Sequence, residues 1–205
     1  PDTRYHYAIG MDVQWGTKGT PDYTVLYVKC LETNLIAARL RGRWDMYETA
    51  CKAAALGFHC NAALLGPEIN GQGSRGGPQI MPIFRGQSAQ WRYPNLYVRT
   101  DIHKLKPGTT PDYGWWTDLH SKGRIIGMSK ARTLDKSFDW ADEQVVDEMA
   151  TYVNGEDGNP GAIEGMNDDC VMGRLITEAV ADAALLSVDL YREPAPFTLT
   201  QRTPT

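Results

Sequence analysis

The sequence predicts an α/β fold, one mixed sheet flanked by helices, and three observations carry that expectation. Two β-branched and aromatic runs, residues 7–13 and 23–28, flank a loop rich in Gly, Thr, Pro and Asp, as adjacent antiparallel strands would. A helical pattern over residues 45–56 is followed by a short apolar run at 62–65, which reads as a crossover that lays a buried strand parallel to the first. A longer amphipathic pattern over residues 167–186 supplies another helix to cover the sheet.

With 205 residues, 42% of them hydrophobic, the chain is large enough for one good-sized core. No apolar run approaches the roughly 20 residues of a membrane helix, and no signal peptide opens the chain. The cysteines (Cys30, Cys51, Cys60, Cys170) form no CxxC and read as reduced core thiols rather than a disulfide frame or zinc site. The chain opens on Pro1 and Asp2 without an initiator Met, as a piece of something longer would. One domain is expected over residues 1–190, followed by a mobile, proline-containing tail at 191–205.

Taken in order, Asp12 comes first, placed where strand alternation calls for an apolar or neutral side chain. It is either a turn aspartate at a strand end or a carboxylate in a central strand, and the second is costly unless a cation or donor meets it. A turn at Thr33 and Asn34 leads to a third strand over residues 35–41, completing an antiparallel meander. Arg39, Arg41 and Arg43 alternate with Leu40 and Gly42, as on the outer face of an edge strand. In the helix at 45–56, Asp45 and Glu48 resemble a capping box and Glu48 pairs with Lys52. Its apolar stripe is Tyr47, Ala50, Cys51, Ala54, Ala55 and Phe58.

Glu68 follows the 62–65 run, in GPEINGQG. A carboxylate at the C-terminal tip of a parallel strand stands where open α/β sheets bind ligands, and the glycines allow close backbone approach to a phosphate or metal. Alone it is equally a loop glutamate, but the meander and crossover bring it to the same edge as Asp12. Residues 74–92 fit no regular element, 95–100 (NLYVRT) read as a fifth strand, and 104–113 as a loop. Residues 139–153 read as an acidic amphipathic helix built on Val145, Val146, Met149 and Val153, and 154–161 as a loop. In the last helix Met172, Leu175, Ile176, Ala179, Val180 and Ala183 form the apolar face, with Asn167 able to cap it. Asp168 and Asp169 open that helix on opposite flanks of the face; both suit the helix dipole, and phase does not choose between them.

Charge is unevenly spread. Residues 1–74 are balanced, 75–132 carry 10 basic against 3 acidic side chains, and 133–205 carry 4 against 15. A basic middle third in a chain of net charge −4 suits a polyanion held on one face; a merely solvated surface is the alternative. Residues 114–132 mix Trp with Lys and Arg, which suits nucleic-acid backbone and sugar but also buried packing.

A strand aspartate, a carboxylate at the tip of the fourth strand and an Asp pair opening the last helix form the layout of ribonuclease H-like nucleases. More specifically, the chain resembles the C-terminal nuclease domain of the large terminase subunit of tailed bacteriophages. The matching stretches are GMDVQWGTKGTPDYTVLYV, PEINGQG, RYPNLYVRTD, YGWWTDLHSKGRIIG and GMNDDCVMG, in the family's order over about residues 7–185. Residues 74–92 depart from it, because Gly76, Gly77, Pro78 and Pro82 interrupt the helix that the family has after its second carboxylate.

The resemblance implies a ribonuclease H-like fold with a central five-stranded mixed sheet, and an endonuclease that cuts concatemeric viral double-stranded DNA during packaging. It implies two Mg²⁺ or Mn²⁺ ions, roughly 4 Å apart in such sites, on oxygen ligands. Asp12 would bridge them, Glu68 would hold one and Asp169 the other, with Asp168 in reserve or as an outer ligand. Lys122 and Arg124, in SKGRIIG, would contact DNA, together with Arg75 and Lys130 of the same basic third. Asp22 reads as a turn residue and His120 as solvent-exposed. The implied partners are an N-terminal ATPase motor, the portal and the small terminase subunit, with action in the host cytoplasm and transiently at the procapsid. No GxxxxGK[ST] occurs, so the motor's phosphate site is expected outside this sequence. A junction resolvase or transposase-like nuclease of the same fold, or a non-catalytic DNA-gripping or motor-docking module, are the competing expectations.

Overall fold

The first two apolar runs pair as strands β1 (Tyr7–Asp12) and β2 (Thr24–Cys30), antiparallel, with Asp12 opposite Val25. The computed structural model describes residues 1–14, 23–70, 80–99, 111–140, 142–155 and 158–191, the last five as backbone only. Strand β3 (Ile36–Gly42) completes the meander, and β4 (Leu64–Pro67) lies parallel to β1, giving the order β3-β2-β1-β4.

The described sheet has four strands, not five. The NLYVRT run lies beside β4 but forms only isolated bridges, Leu65 to Leu96 and Val98 to Tyr113. With four residues in β4, a neighbour gains few ladder bonds before that strand ends.

Helix α1 (Met46–His59) starts where expected: Asp45 accepts from the Glu48 amide at 2.8 Å, and Glu48 pairs with Lys52 at 3.4 Å. Its buried stripe differs from the expected one. Thr49, Ala50, Ala53, Ala54 and Gly57 face the core, while Tyr47 and Phe58 are 51% and 53% exposed. Small residues win because the helix lies close: a Cβ on Gly57 would stand 2.3 Å from the Tyr93 hydroxyl. Within residues 74–92, a short helix α2 (Ile80–Phe84) adds Ile80, Ile83 and Phe84 to this core layer.

Helix α3 (Leu119–Leu134) opens on a capping box between Asp118 and Ser121. The expected acidic helix over 139–153 is shorter, α4 (Glu143–Met149), with Val145 buried and Val146 and Val153 exposed. Strands β5 (Tyr152–Asn154) and β6 (Pro160–Ala162) then form a hairpin where a loop was expected. Beyond β5 the Gly155 amide donates to the Asn159 carbonyl at 2.9 Å, and Gly158 stands at φ +78°. Arg39 and Arg41 point toward this acidic helix instead of open solvent: Arg39 meets Asp142 at 2.7 Å and Arg41 approaches Glu148 at 3.9 Å.

The last helix, α5 (Asp169–Tyr191), covers the opposite sheet face from α1. Sheet parity explains the two layers. Tyr7, Ile9 and Met11 pack toward α1 and α2, while Ala8 packs toward α5. From Asp169 to Ala181 the helix is buried all round, Arg174, Thr177 and Glu178 included, so the expected apolar face is only part of its buried surface. At Gly10 a Cβ would stand 2.3 Å from the Thr177 backbone nitrogen, so only glycine lets α5 lie this close to β1. No helix among the described residues is long and apolar enough to cross a membrane.

Candidate active site

Asp12 ends β1 two residues beyond Gly10, on the face that α5 covers. Glu68, one residue past the neighbouring strand β4, has the same parity: Gly66 pairs with Gly10 and packs on Val180, and the Glu68 amide donates to the Met11 carbonyl at 2.9 Å. The crossover therefore sets the two carboxylates side by side at one sheet edge. Asp168 and Asp169 arrive from the start of α5 on the same face. The structure brings all four together. Burial pushes the Asp12 carboxyl well above the usual carboxylate range, and the Glu68 charge, a hydrogen bond with Glu68 and the Asp169 and Asp168 charges push it further.

The start of α5 settles the capping question raised by the sequence. The Met172 amide bonds to the Asp168 carbonyl, which makes Asp168, not Asn167, the residue at the cap position. Its side chain does not serve the helix: Asp168 Oδ2 accepts from the Ala162 amide of β6 at 3.4 Å. Instead Glu148 of α4 accepts from the Cys170 and Val171 amides at 2.7 and 3.2 Å. Asp169, also buried, accepts from the Tyr23 amide at 3.0 Å. Burial, and then Glu148 beside it, push the Cys170 thiol up to about 12.

No role at the site is readable in the sequence for Arg41 or Tyr23. Glu148 had a signal: it falls three residues after Val145, on the buried stripe of its helix, where a carboxylate needs an explanation.

The donor set suits a hard divalent cation. Every candidate ligand is a carboxylate oxygen, and the charges crowding Asp12 are of the sign that a cation neutralises. Among the described residues, no three His, Cys, Asp or Glu side chains are already closed around one metal-sized point.

On the flank of this site, Glu68 bridges to Trp115 and the Asn70 amide group clamps the Thr117 backbone through both its nitrogen and its oxygen. That clamp fixes the start of α3 next to Glu68. Along α3, Lys122 lies 5.7 Å from the Tyr152 ring centre, and Arg124 lies 5.7 Å from that of Trp115. Two residues apart on a helix, they diverge, and among the described residues neither pairs with a carboxylate. Trp115 is buried and Trp116 exposed, so only the second can meet a ligand. Lys130 is exposed farther along the helix, beside a 350 Å³ cavity lined also by Ile126, Tyr152 and Leu175. His120 is exposed. Arg75 and Asp22 lie outside the described residues. A cleft of about 730 Å³ lies elsewhere among the described residues: Asp142, Glu143, Asp147 and Glu148 outnumber Arg39 and Arg41 in its walls, which makes it a poor channel for a polyanion.

No protein-family model and no curated protein matches this chain. Solved structures do. The large terminase nuclease from thermophilic phage G20c matches with a TM-score of 0.61 and 18% identity over 87% of this chain and 83% of that one. Its magnesium-bound form matches with a TM-score of 0.58 and 20% identity over 85% and 81%. The large terminase nuclease domain of Thermus phage P74-26 matches with a TM-score of 0.57 and 18% identity over 86% and 80%. At such identity the likeness is one of architecture, and it is nearly complete: the chain has the fold of the phage large terminase nuclease domains.

Proposed function

We propose that the chain is a divalent-metal-dependent endonuclease that hydrolyses phosphodiester bonds of concatemeric viral double-stranded DNA during genome packaging. The observation that carries this reading is the gathering of Glu68, Asp168 and Asp169 around Asp12, on a fold shared with terminase nucleases. Two Mg²⁺ or Mn²⁺ ions would supply an activated water and relief of charge on the leaving oxygen. Asp12 would bridge them, with Glu68 on one, Asp169 on the other and Asp168 as an outer ligand. Arg124 and Lys122 would hold backbone phosphates beside the site, and Arg75 and Lys130 would extend that grip. Contacts of this kind position a duplex without reading its bases, so cutting would show little sequence preference. An ATPase motor, the portal and the small terminase subunit would be its partners in the host cytoplasm and at the procapsid.

Supercoiled plasmid incubated with the protein and Mn²⁺, with and without EDTA, tests the reading. Nicked and linear products that disappear with EDTA and with Asp12→Asn are expected. Intact plasmid under all conditions would mean a DNA-docking module, and cutting that survives EDTA would remove the metal.

A further inference from the structure

We infer that Glu148 is a positioning residue for the metal site, capping α5 from a neighbouring helix so that the Asp168 side chain is not used for that task. The inference rests on the nuclease reading above. The first-turn amides of a helix need acceptors, and the side chain at the cap position is the usual supplier. Here that residue is Asp168, yet Glu148 Oε2 takes both the Cys170 and Val171 amides. The arrangement is costly by itself. Glu148 is only 8% exposed, and its other oxygen and Arg41 Nε are buried without hydrogen-bond partners among the described residues. Helix stability alone would be served as well by Asp168 at its own cap.

What the costly arrangement adds is a fixed position for the helix start. Arg41, 3.9 Å from Glu148 Oε1, stacks 3.5 Å over the Tyr23 ring, and the Tyr23 amide donates to Asp169 Oδ2. Glu148 thus grips the backbone directly after Asp169, while its neighbour Arg41 steadies the residue that grips the Asp169 carboxylate. Outer contacts of this type orient metal ligands, and removing them weakens metal affinity by about 10–100-fold.

The test is Mn²⁺ binding to the 205-residue protein, followed by the electron paramagnetic resonance of free Mn²⁺, with thermal melting in EDTA alongside. Glu148→Gln should weaken Mn²⁺ binding by about tenfold. Asp147→Asn, which removes the same charge from the exposed face of α4, should leave it unchanged. Wild-type Mn²⁺ affinity in Glu148→Gln, with or without a lowered melting temperature, would make Glu148 a structural cap only and overturn the inference. Equal weakening in Asp147→Asn would reduce it to long-range charge and overturn it as well. Should Glu148→Gln fail to fold, Arg41→Gln takes its place, and wild-type affinity there overturns the inference equally. If the unmodified protein binds no more Mn²⁺ than Asp12→Asn does, the nuclease reading itself fails, and the inference falls with it.

Discussion

Helix α5 carries two opposite electrostatic settings along one length of chain. At its start, Asp168 and Asp169 join Asp12 and Glu68, four acids whose mutual repulsion adds to burial in pushing the Asp12 carboxyl up. Further along, Glu178 is fully buried but surrounded by cations: Lys29 of β2 at 2.7 Å, Arg174 one turn earlier on α5, and Arg132 of α3, which also reaches Asp182 at 2.5 Å. Burial works to raise the Glu178 carboxyl, but the Arg174 and Lys29 charges outweigh it and hold the group below its usual range. One helix therefore presents a charge surplus and a charge balance. A buried acid that already has its cations holds elements together, and a buried acid surrounded by other acids is waiting for one.

Neutralising a member of each group should have opposite consequences. Asp12→Asn should lower plasmid cleavage by about a hundredfold or more, beyond the typical effect of removing an outer partner. Its melting temperature in EDTA should hold or rise, because one of four repelling charges is gone. A large fall in that temperature would make Asp12 a structural group and erase the contrast. Glu178→Gln should instead cost about 3–5 kcal/mol of stability by urea denaturation, since Lys29 and Arg174 would be left buried without it. A cost near zero would show that the cations find other partners.

Acid sharpens the same contrast. A carboxyl held below its ordinary value contributes stability that is complete above that value and is lost as pH falls through the folded-state one. The Glu178 contribution should therefore be intact down to about pH 4.3 and fade below it. In Glu178→Gln the acid limb of the stability curve should be shallower. An identical limb would assign the acid sensitivity to other groups.

The smallest expected effect concerns DNA grip. Replacing Lys122 and Arg124 by Ala should flatten the salt dependence of DNA affinity, by about 0.9 log unit per log unit of salt for each phosphate that is no longer neutralised. Mn²⁺ binding should be unchanged, and Lys136→Ala, exposed beyond the helix, should do neither. A fall in thermal stability with an unchanged slope would mean that the two cations serve the fold.

The surplus was legible in the sequence and the balance was not. Asp12 interrupts an alternating strand, Glu68 ends the strand that a crossover must place beside it, and both inferences need only periodicity and connection length. Arg174 and Glu178, by contrast, have the spacing of an ordinary surface helix pair. Nothing local marks α5 as buried all round, because the elements that enclose it, β2, α3 and α4, lie far away in sequence. The same limit explains α1: hydrophobicity favoured the stripe with Tyr47 and Phe58, whereas close packing under Tyr93 required the stripe of small residues. The 139–153 segment was apolar enough at helical spacing to read as one helix, yet only Glu143–Met149 is helical and its last two residues, Tyr152 and Val153, pair with β6. Asp168 and Asp169 were found as a pair, but what caps the helix in place of the Asp168 side chain is Glu148, a contact 22 residues apart.

The contact between Gly10 and Thr177 makes α5 a lever with its fulcrum on β1. Asp169 lies eight residues from that fulcrum, an arm of about 12 Å at 1.5 Å per residue. Tilting such an arm by about 5° swings its tip by about 1 Å, a displacement that can cost a catalytic site about a hundredfold in rate. A single methyl group at Gly10, touching no carboxylate, would therefore be magnified along the helix into misalignment of the site. The accuracy of the site is held where the strand has no side chain at all.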